Sequence, residues 1–235
     1  MASSGTYAFA PSAGDLILNA FGMIQLRRWE LTIQHLEDAY MQANLLMVDF
    51  SNRNPNRWAM ETQDVALSQG TPTYNLADRT VGVAIAYIDT TSGSTTTSRV
   101  IGPFSAADYA AVPVKLQQAP PTAYFFSLLT PTPTVSVWPA PDGNGPYTLR
   151  LQTFRQMQDV VLAGGVGVDS PYRFLDAFTT GLAARLAVIY PEKMTDPQKP
   201  EKLQAAYESR FQLAAAQDQE STPLYIRPNF SGYMR

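Results

Sequence analysis

Few residues in this 235-residue chain could do acid–base or metal chemistry, and their spacing scatters them. The single histidine, His35, falls between Ile33 and Leu36 in a run whose apolar residues recur at helical intervals. One imidazole alone builds neither a multi-histidine metal site nor a serine triad. Glycoside hydrolysis would need two carboxyls flanking one cleft. Glu61 and Asp64 point to opposite faces if they share a strand, and Glu37 and Asp38 diverge on a helix. Glu30, Glu61 and Asp142 remain as a scattered set. The cluster Gly164, Gly165 and Gly167 has neither the lysine and hydroxyl residue of a phosphate loop nor the spacing of a dinucleotide fold, so it reads as a loop before a helix. With no cysteine, a disulfide framework, a thiolate metal site and a cysteine nucleophile are excluded. The chain is therefore expected to work without catalytic residues, cofactor or metal.

Residues suited to contact are more prominent. Arg27-Arg28-Trp29 and Asn56-Arg57-Trp58 each set arginine beside tryptophan, a pairing enriched at protein interfaces and capable of cation–π stacking. The same pattern also fits tryptophans that anchor helix-to-strand junctions while the arginines reach water. The end of the chain, STPLYIRPNFSGYMR, carries Tyr225, Ile226, Phe230 and Tyr233 with Arg227 and Arg235. A solvated tail would be poorer in aromatics. This segment reads either as an arm that docks on another chain or as one that packs on its own domain.

Charged residues make up 16% of the chain against the ~25% usual for soluble domains, while hydrophobic residues stand at an ordinary 45%. Such a surface favours burial against neighbouring subunits. The net charge of −3 supplies no cationic field to hold nucleic acid. The first residues lack a basic region followed by an apolar run, and no stretch reaches the ~18 apolar residues of a membrane span, so a soluble, unexported protein is expected.

The elements that must position these residues follow from periodicity. Pro11, Ser12 and Asp15 signal a helix start, followed by Leu16, Ala20, Phe21 and Ile24. Ile33, Leu36, Tyr40, Ala43, Met47 and Phe50 predict one apolar stripe on a second helix, which the prolines and asparagines of SNRNPNR should stop. From Trp58 the period becomes two. Strands are predicted over Trp58–Val65, Val81–Asp89, Arg99–Gly102, Ala123–Leu129, Thr134–Trp138 and Tyr147–Phe154, with a short Ser105-capped helix between the third and fourth. The stretch Gly70–Leu76 reads as a turn, and Thr90–Ser98 as an exposed loop tip. Asp169-Ser170-Pro171 predicts the start of a helix carrying Leu175, Phe178, Leu182, Leu186 and Ile189, and a last helix runs from Pro197 to Gln219. The order predicts an α+β fold. The N- and C-terminal helices (1–56 and 170–220) form a bundle, an antiparallel β-sandwich or barrel-like domain (57–165) is inserted, and 221–235 is an extended arm.

Several short stretches resemble a known family. Asn56-Arg57-Trp58, Glu61, the Gly70–Leu76 turn and the run Val81–Tyr87 are similar to segments of the head-to-tail adaptors of short-tailed bacteriophages, known as tail tubular protein A or packaged-DNA-stabilising adaptors. So are Ser105, Asp108 and Tyr109 before Pro113, the entry Pro120–Tyr124, the strand with Pro-x-Pro at Val135–Pro141, and the helix Leu175–Tyr190. Relatives commonly place a Gly-Glu pair between the first two helices, where this chain has Arg28-Trp29-Glu30. The resemblance implies a structural virion protein forming a twelve-copy ring between the portal and the tail nozzle. The bundle would face the portal, the β domain would face the nozzle and fibres, the arm would reach the portal, and double-stranded DNA would pass through the lumen without sequence-specific contact. No membrane is involved. Arg28, Trp29, Arg57, Trp58, the loop tip at Ser92, Gly93 and Ser94, and the arm residues Tyr225, Ile226, Arg227, Phe230, Tyr233 and Arg235 are the expected interface positions. From other classes, an envelope polysaccharide hydrolase would use Glu61 and Asp142. A carbohydrate-binding sandwich would need Tyr74, Tyr87, Tyr124 and Trp138 exposed on one face.

Overall fold

The computed structural model of the chain describes residues 5–6, 9–53, 57–162 and 164–218, with nothing specified for the side chain of Ser92. The fold is mixed α+β, and the terminal helices flank the β region as the periodicity predicts. The first helix, α1 (Ala13–Met23), begins where the Ser12 hydroxyl accepts from the Asp15 amide at 3.2 Å. The Asp15 carboxylate accepts in return from the Ser12 amide. That reciprocal pair satisfies two amides that helix geometry leaves free. The second, α2 (Ile33–Arg53), buries Ala39, Ala43, Leu46, Met47 and Phe50. Two members of the predicted stripe fall outside this face: Ile33 and Tyr40 are exposed. The inward stripe is centred about 45° away, on the side that carries the small Ala39 and Ala43.

The last two helices, α4 (Leu175–Ile189) and α5 (Lys199–Gln217), complete the bundle, with α4 packed against α1, α2 and α5. Phe21, Phe50, Phe174, Phe178, Tyr207 and Phe211 fill its core. Gly181 lies mid-helix on α4, and a Cβ placed there would meet the Tyr207 ring at 2.8 Å and Leu46 at 3.1 Å. The start of α4 departs from expectation. Asp169-Ser170-Pro171 does not cap it: a single 3₁₀ turn (Tyr172–Phe174) intervenes, and the α-helix begins at Leu175. Asp169 instead forms a two-pronged ion pair with Arg155 at 2.5 and 2.9 Å and accepts from the Gln158 amide. A charged guanidinium outcompetes a cap for the carboxylate.

Seven strands, β1 (Met60–Leu67), β2 (Thr73–Asn75), β3 (Thr80–Ser92), β4 (Thr95–Pro103), β5 (Ala123–Ser127), β6 (Thr134–Trp138) and β7 (Tyr147–Arg155), form one sheet in the order β1-β7-β3-β4-β5-β6-β2. All neighbours are antiparallel except β4 and β5, which run parallel over Gly102–Ala123 and Pro103–Tyr124. The sheet folds over on itself in barrel-like fashion. Ile88, Leu149 and Leu151 from one half and Tyr124, Val135 and Val137 from the other close a second core. β2 lies inside the stretch expected to be a turn; it pairs with β6, and its Tyr74 hydroxyl accepts from the Ser68 amide at 2.8 Å. The Thr90–Ser98 segment is also not a loop. Asp89 to Ser92 pair with Ser98 to Thr95, leaving only Gly93-Ser94 as the turn. Gly93 has φ +60, the left-handed value that the first residue of such a tight hairpin needs. Between β4 and β5, α3 (Ala106–Ala111) is capped by Ser105 as expected.

Among the described residues, the side-chain contacts at which the helical and β parts meet include Trp58 packed on Phe174 at 4.7 Å, Arg155 at the end of β7 holding Asp169, and Asn44 of α2 accepting from the Val160 amide at 2.9 Å.

Candidate interaction surfaces

Most of the residues considered for chemistry have a structural partner where they stand. His35 Nδ1 accepts from the Thr32 amide at 3.0 Å, and its ring packs between Phe21 and Tyr190. Glu30 accepts from the Arg27 amide at 2.8 Å. Asp38 accepts from the Tyr190 hydroxyl; burial first and this carboxylate second push that hydroxyl up to about 12. Glu61 accepts from Gln63 at 3.0 Å, and Asp64 pairs with Arg150 at 3.1 Å. Asp142 accepts from the Tyr147 hydroxyl at 2.7 Å, the main cause holding its carboxyl below the usual range. Glu61 lies opposite Thr153 of β7, whereas Asp142 is tied to Tyr147 at the other end of that strand. Six residues of extended chain put them on the order of 20 Å apart, against the ~5–9.5 Å between paired glycosidase carboxyls. Among the described residues no group of three or more histidine, aspartate or glutamate side chains could hold a metal ion. The glycine loop is a tether for the bundle: the carbonyl of Val166 accepts from the Ala13 amide at 2.8 Å, at the first residue of α1.

The aromatic row that a carbohydrate surface would require is dispersed. Tyr124 is buried, Tyr74 is half-buried with its hydroxyl bonded to Ser68 and Thr71, and Trp138 donates its indole N–H to the Val114 carbonyl.

The two arginine–tryptophan pairs have opposite fates. Arg28 and Trp29 lie in a 3₁₀ turn (Arg28–Glu30) between α1 and α2, and Trp29 is 83% exposed. Arg57 and Trp58 lie in a second 3₁₀ turn (Arg57–Ala59) that leads into β1. Trp58 packs into the bundle core against Phe174, with its indole N–H buried and unpartnered, while Arg57 stays exposed. The cation–π stacks among the described residues involve other cations: Arg53 over Tyr207 and Phe211, Lys115 over Tyr109 and Arg173 over Phe174. The Trp58 pair thus serves as a junction anchor, and the Trp29 pair presents an aromatic to solvent.

Gly93 and Ser94 sit exposed at the tip of the β3–β4 hairpin. Its base is fixed by the buried carboxylate of Asp89, which accepts from Ser98 at 2.5 Å and faces Arg150 at 3.4 Å. Tyr225, Ile226, Arg227, Phe230, Tyr233 and Arg235 lie outside the described residues. Asp218, just past α5, is well anchored: it pairs with Arg173 and accepts from the Arg57 amide at 3.3 Å. Sequence reasoning missed a further surface, the outer side of α2, where Met41, Leu45 and Val48 are exposed. The signal was available: one helix carried more apolar residues than a single stripe accommodates.

Two cores bridged by Trp58 and by the Arg155–Asp169 pair, with apolar and aromatic side chains displayed outward, suit a protein that works by contact. The chain belongs to the SU10 adaptor protein family, a family of bacteriophage head-to-tail adaptors, whose model matches residues 10–229. No curated protein matches the chain. A structural virion role between head and tail follows from that membership. No helix among the described residues is long and apolar enough to cross a membrane.

Proposed function

We propose that twelve copies of this chain close a ring between the portal and the tail nozzle, which gives packaged DNA a passage and helps retain it. Residues 1–56 and 170–220 form the portal-facing part, 57–165 the part that faces the nozzle and fibres, and 221–235 an arm that reaches the portal. The supporting observation is that the family match runs through 10–229, across both cores and the junction between them. The Arg155–Asp169 pair and the Trp58–Phe174 contact make that junction suited to hold two faces at a fixed separation. A net charge of −3 fits a lumen that must not grip DNA, because each cation placed on a phosphate adds affinity that a moving genome has to overcome. The Gly93-Ser94 hairpin tip is the natural contact for the next tail component. The protein would be made in the host cytoplasm and end in the virion. The test is to mix the purified chain with its portal ring and weigh the product. The expected species is one portal carrying a fixed, symmetric number of copies; a portal that stays bare at every concentration refutes the reading.

A further inference from the structure

The outer side of α2 carries a second apolar face that nothing among the described residues covers. Ile33, Tyr40, Met41, Leu45 and Val48 are 40–76% exposed. At 3.6 residues per turn they fall within an arc of about 140°, on the far side from the buried Ala39–Phe50 stripe. A solvent-facing side would carry charges, yet no lysine or arginine occurs between Ile33 and Asn52, and Glu37 is the one acid on this arc. The stripe does not stop at the end of the bundle. Val48 and Val81 line one groove of about 210 Å³ together with Met47, Met157 and a polar rim that includes Asn44, Asn52 and Gln158, so the outer side of α2 is continuous with the start of β3.

We infer that this face is the seam between neighbouring copies, docking against a different surface of the next subunit. The inference rests on the ring reading above and names the surface that closes it. The area supports it. These side chains expose on the order of 500 Å², at the top of the ~300–600 Å² that a monomer's largest patch carries and most of the ~800 Å² that one side of a stable interface contributes. Position decides the occupant. Portal and nozzle would meet opposite ends of the chain, whereas this patch runs from the bundle onto the β region and so belongs to the side of a protomer. A ring closed by rotation uses two unlike patches, so the counter-surface lies elsewhere on the same chain. Methionine, aromatic and aliphatic side chains with few charges have the composition of an interface centre.

The test titrates portal rings with the full chain and counts copies per ring. The unmodified chain is expected to fill rings all-or-none, because each seated copy helps to seat the next. Leu45→Glu with Val48→Glu is expected to keep the fold and still bind, but to populate intermediate occupancies, with the Hill coefficient falling to 1. Cooperative filling by the double variant overturns the seam and leaves the adaptor reading intact. A folded variant that no longer binds at all also overturns it, since the face would then belong to the portal contact. Failure of the unmodified chain to load overturns the ring reading and this inference together. Because the chain has no cysteine, Leu45→Cys offers an independent measure that alters no charge. Its maleimide labelling is expected to slow at least tenfold in filled rings, and an unchanged rate there refutes the seam.

Discussion

Gly181 gives a prediction whose sign the sequence alone gets wrong. In a helix interior, glycine costs roughly 0.5–1 kcal/mol relative to alanine, so Gly181→Ala should stabilise α4 on propensity grounds. The packing opposes this. The new methyl would lie 2.8 and 2.9 Å from two Tyr207 ring carbons and 3.1 Å from Leu46. Neither neighbour can give way cheaply. Tyr207 is 2% exposed, stacks parallel to Phe50, packs on Phe211, and donates its hydroxyl to Asp49 at 2.7 Å. Inserting a methyl into such a core costs about 1–3 kcal/mol. The net effect is a loss of about 1–2 kcal/mol, seen as a lower urea midpoint at unchanged slope and a Tm lower by about 2–8 °C for a chain of this size. The decisive control is the same substitution in a Tyr207→Ala background. With the ring gone, the remaining neighbour, Leu46 at 3.1 Å, can shift into the vacated space, and Gly181→Ala should become neutral or stabilising by up to about 1 kcal/mol. A Gly181→Ala protein as stable as the parent, or one equally destabilised with and without the Tyr207 ring, would sink the reasoning.

Two further predictions concern local devices. At pH 7, Asp169→Asn should cost about 2 kcal/mol, the scale of a charge-assisted hydrogen bond whose partner is left behind. The Arg155 guanidinium, as main cause, holds the Asp169 carboxyl below its ordinary 3.8. A depressed folded value means that the stabilisation is present above the unfolded value and lost as pH falls through the folded one. The gap between parent and variant, followed by urea titration from pH 7 down to 3, should therefore narrow below about 3.8; a pH-independent gap contradicts the ion-pair account. Capping should also be unequal. Ser12→Ala should cost about 1 kcal/mol because α1 buries Leu16, Ile17 and Phe21, whereas Ser105→Ala should shift global stability by less than about 0.5, since α3 buries no residue. Equal losses at the two caps, measured by thermal melts, would show that the packing behind each helix does not set the cost.

Several elements are legible in local sequence. Residues 134–138 alternate cleanly, and β6 occupies those five positions. Ser12 and Asp15, like Ser105 and Asp108, each start a helix because the cap signal is local: a hydroxyl and a carboxylate three residues apart find each other's amides without help from the rest of the chain. The α+β order was legible for the same reason, since a period of two or of 3.6 is written in consecutive residues. What only the tertiary structure decided depends on groups distant in sequence. The helix start expected at Asp169-Ser170-Pro171 gave way to a 3₁₀ turn, with Asp169 held by Arg155, fourteen residues away. Tyr74 entered a strand instead of a turn because β6 stood beside it. The Thr90–Ser98 stretch became a paired hairpin because a threonine-rich ladder, weak alone, was continued from β3, which pairs with β7 on its other edge. Trp29 and Trp58, alike in sequence, were separated by the presence of Phe174 near one of them alone. Above all, the two apolar sides of α2 cannot be ranked from periodicity. Which side faced inward was settled by packing against α4, where Gly181 leaves room for Leu46 and Tyr207, and that packing left Met41, Leu45 and Val48 exposed.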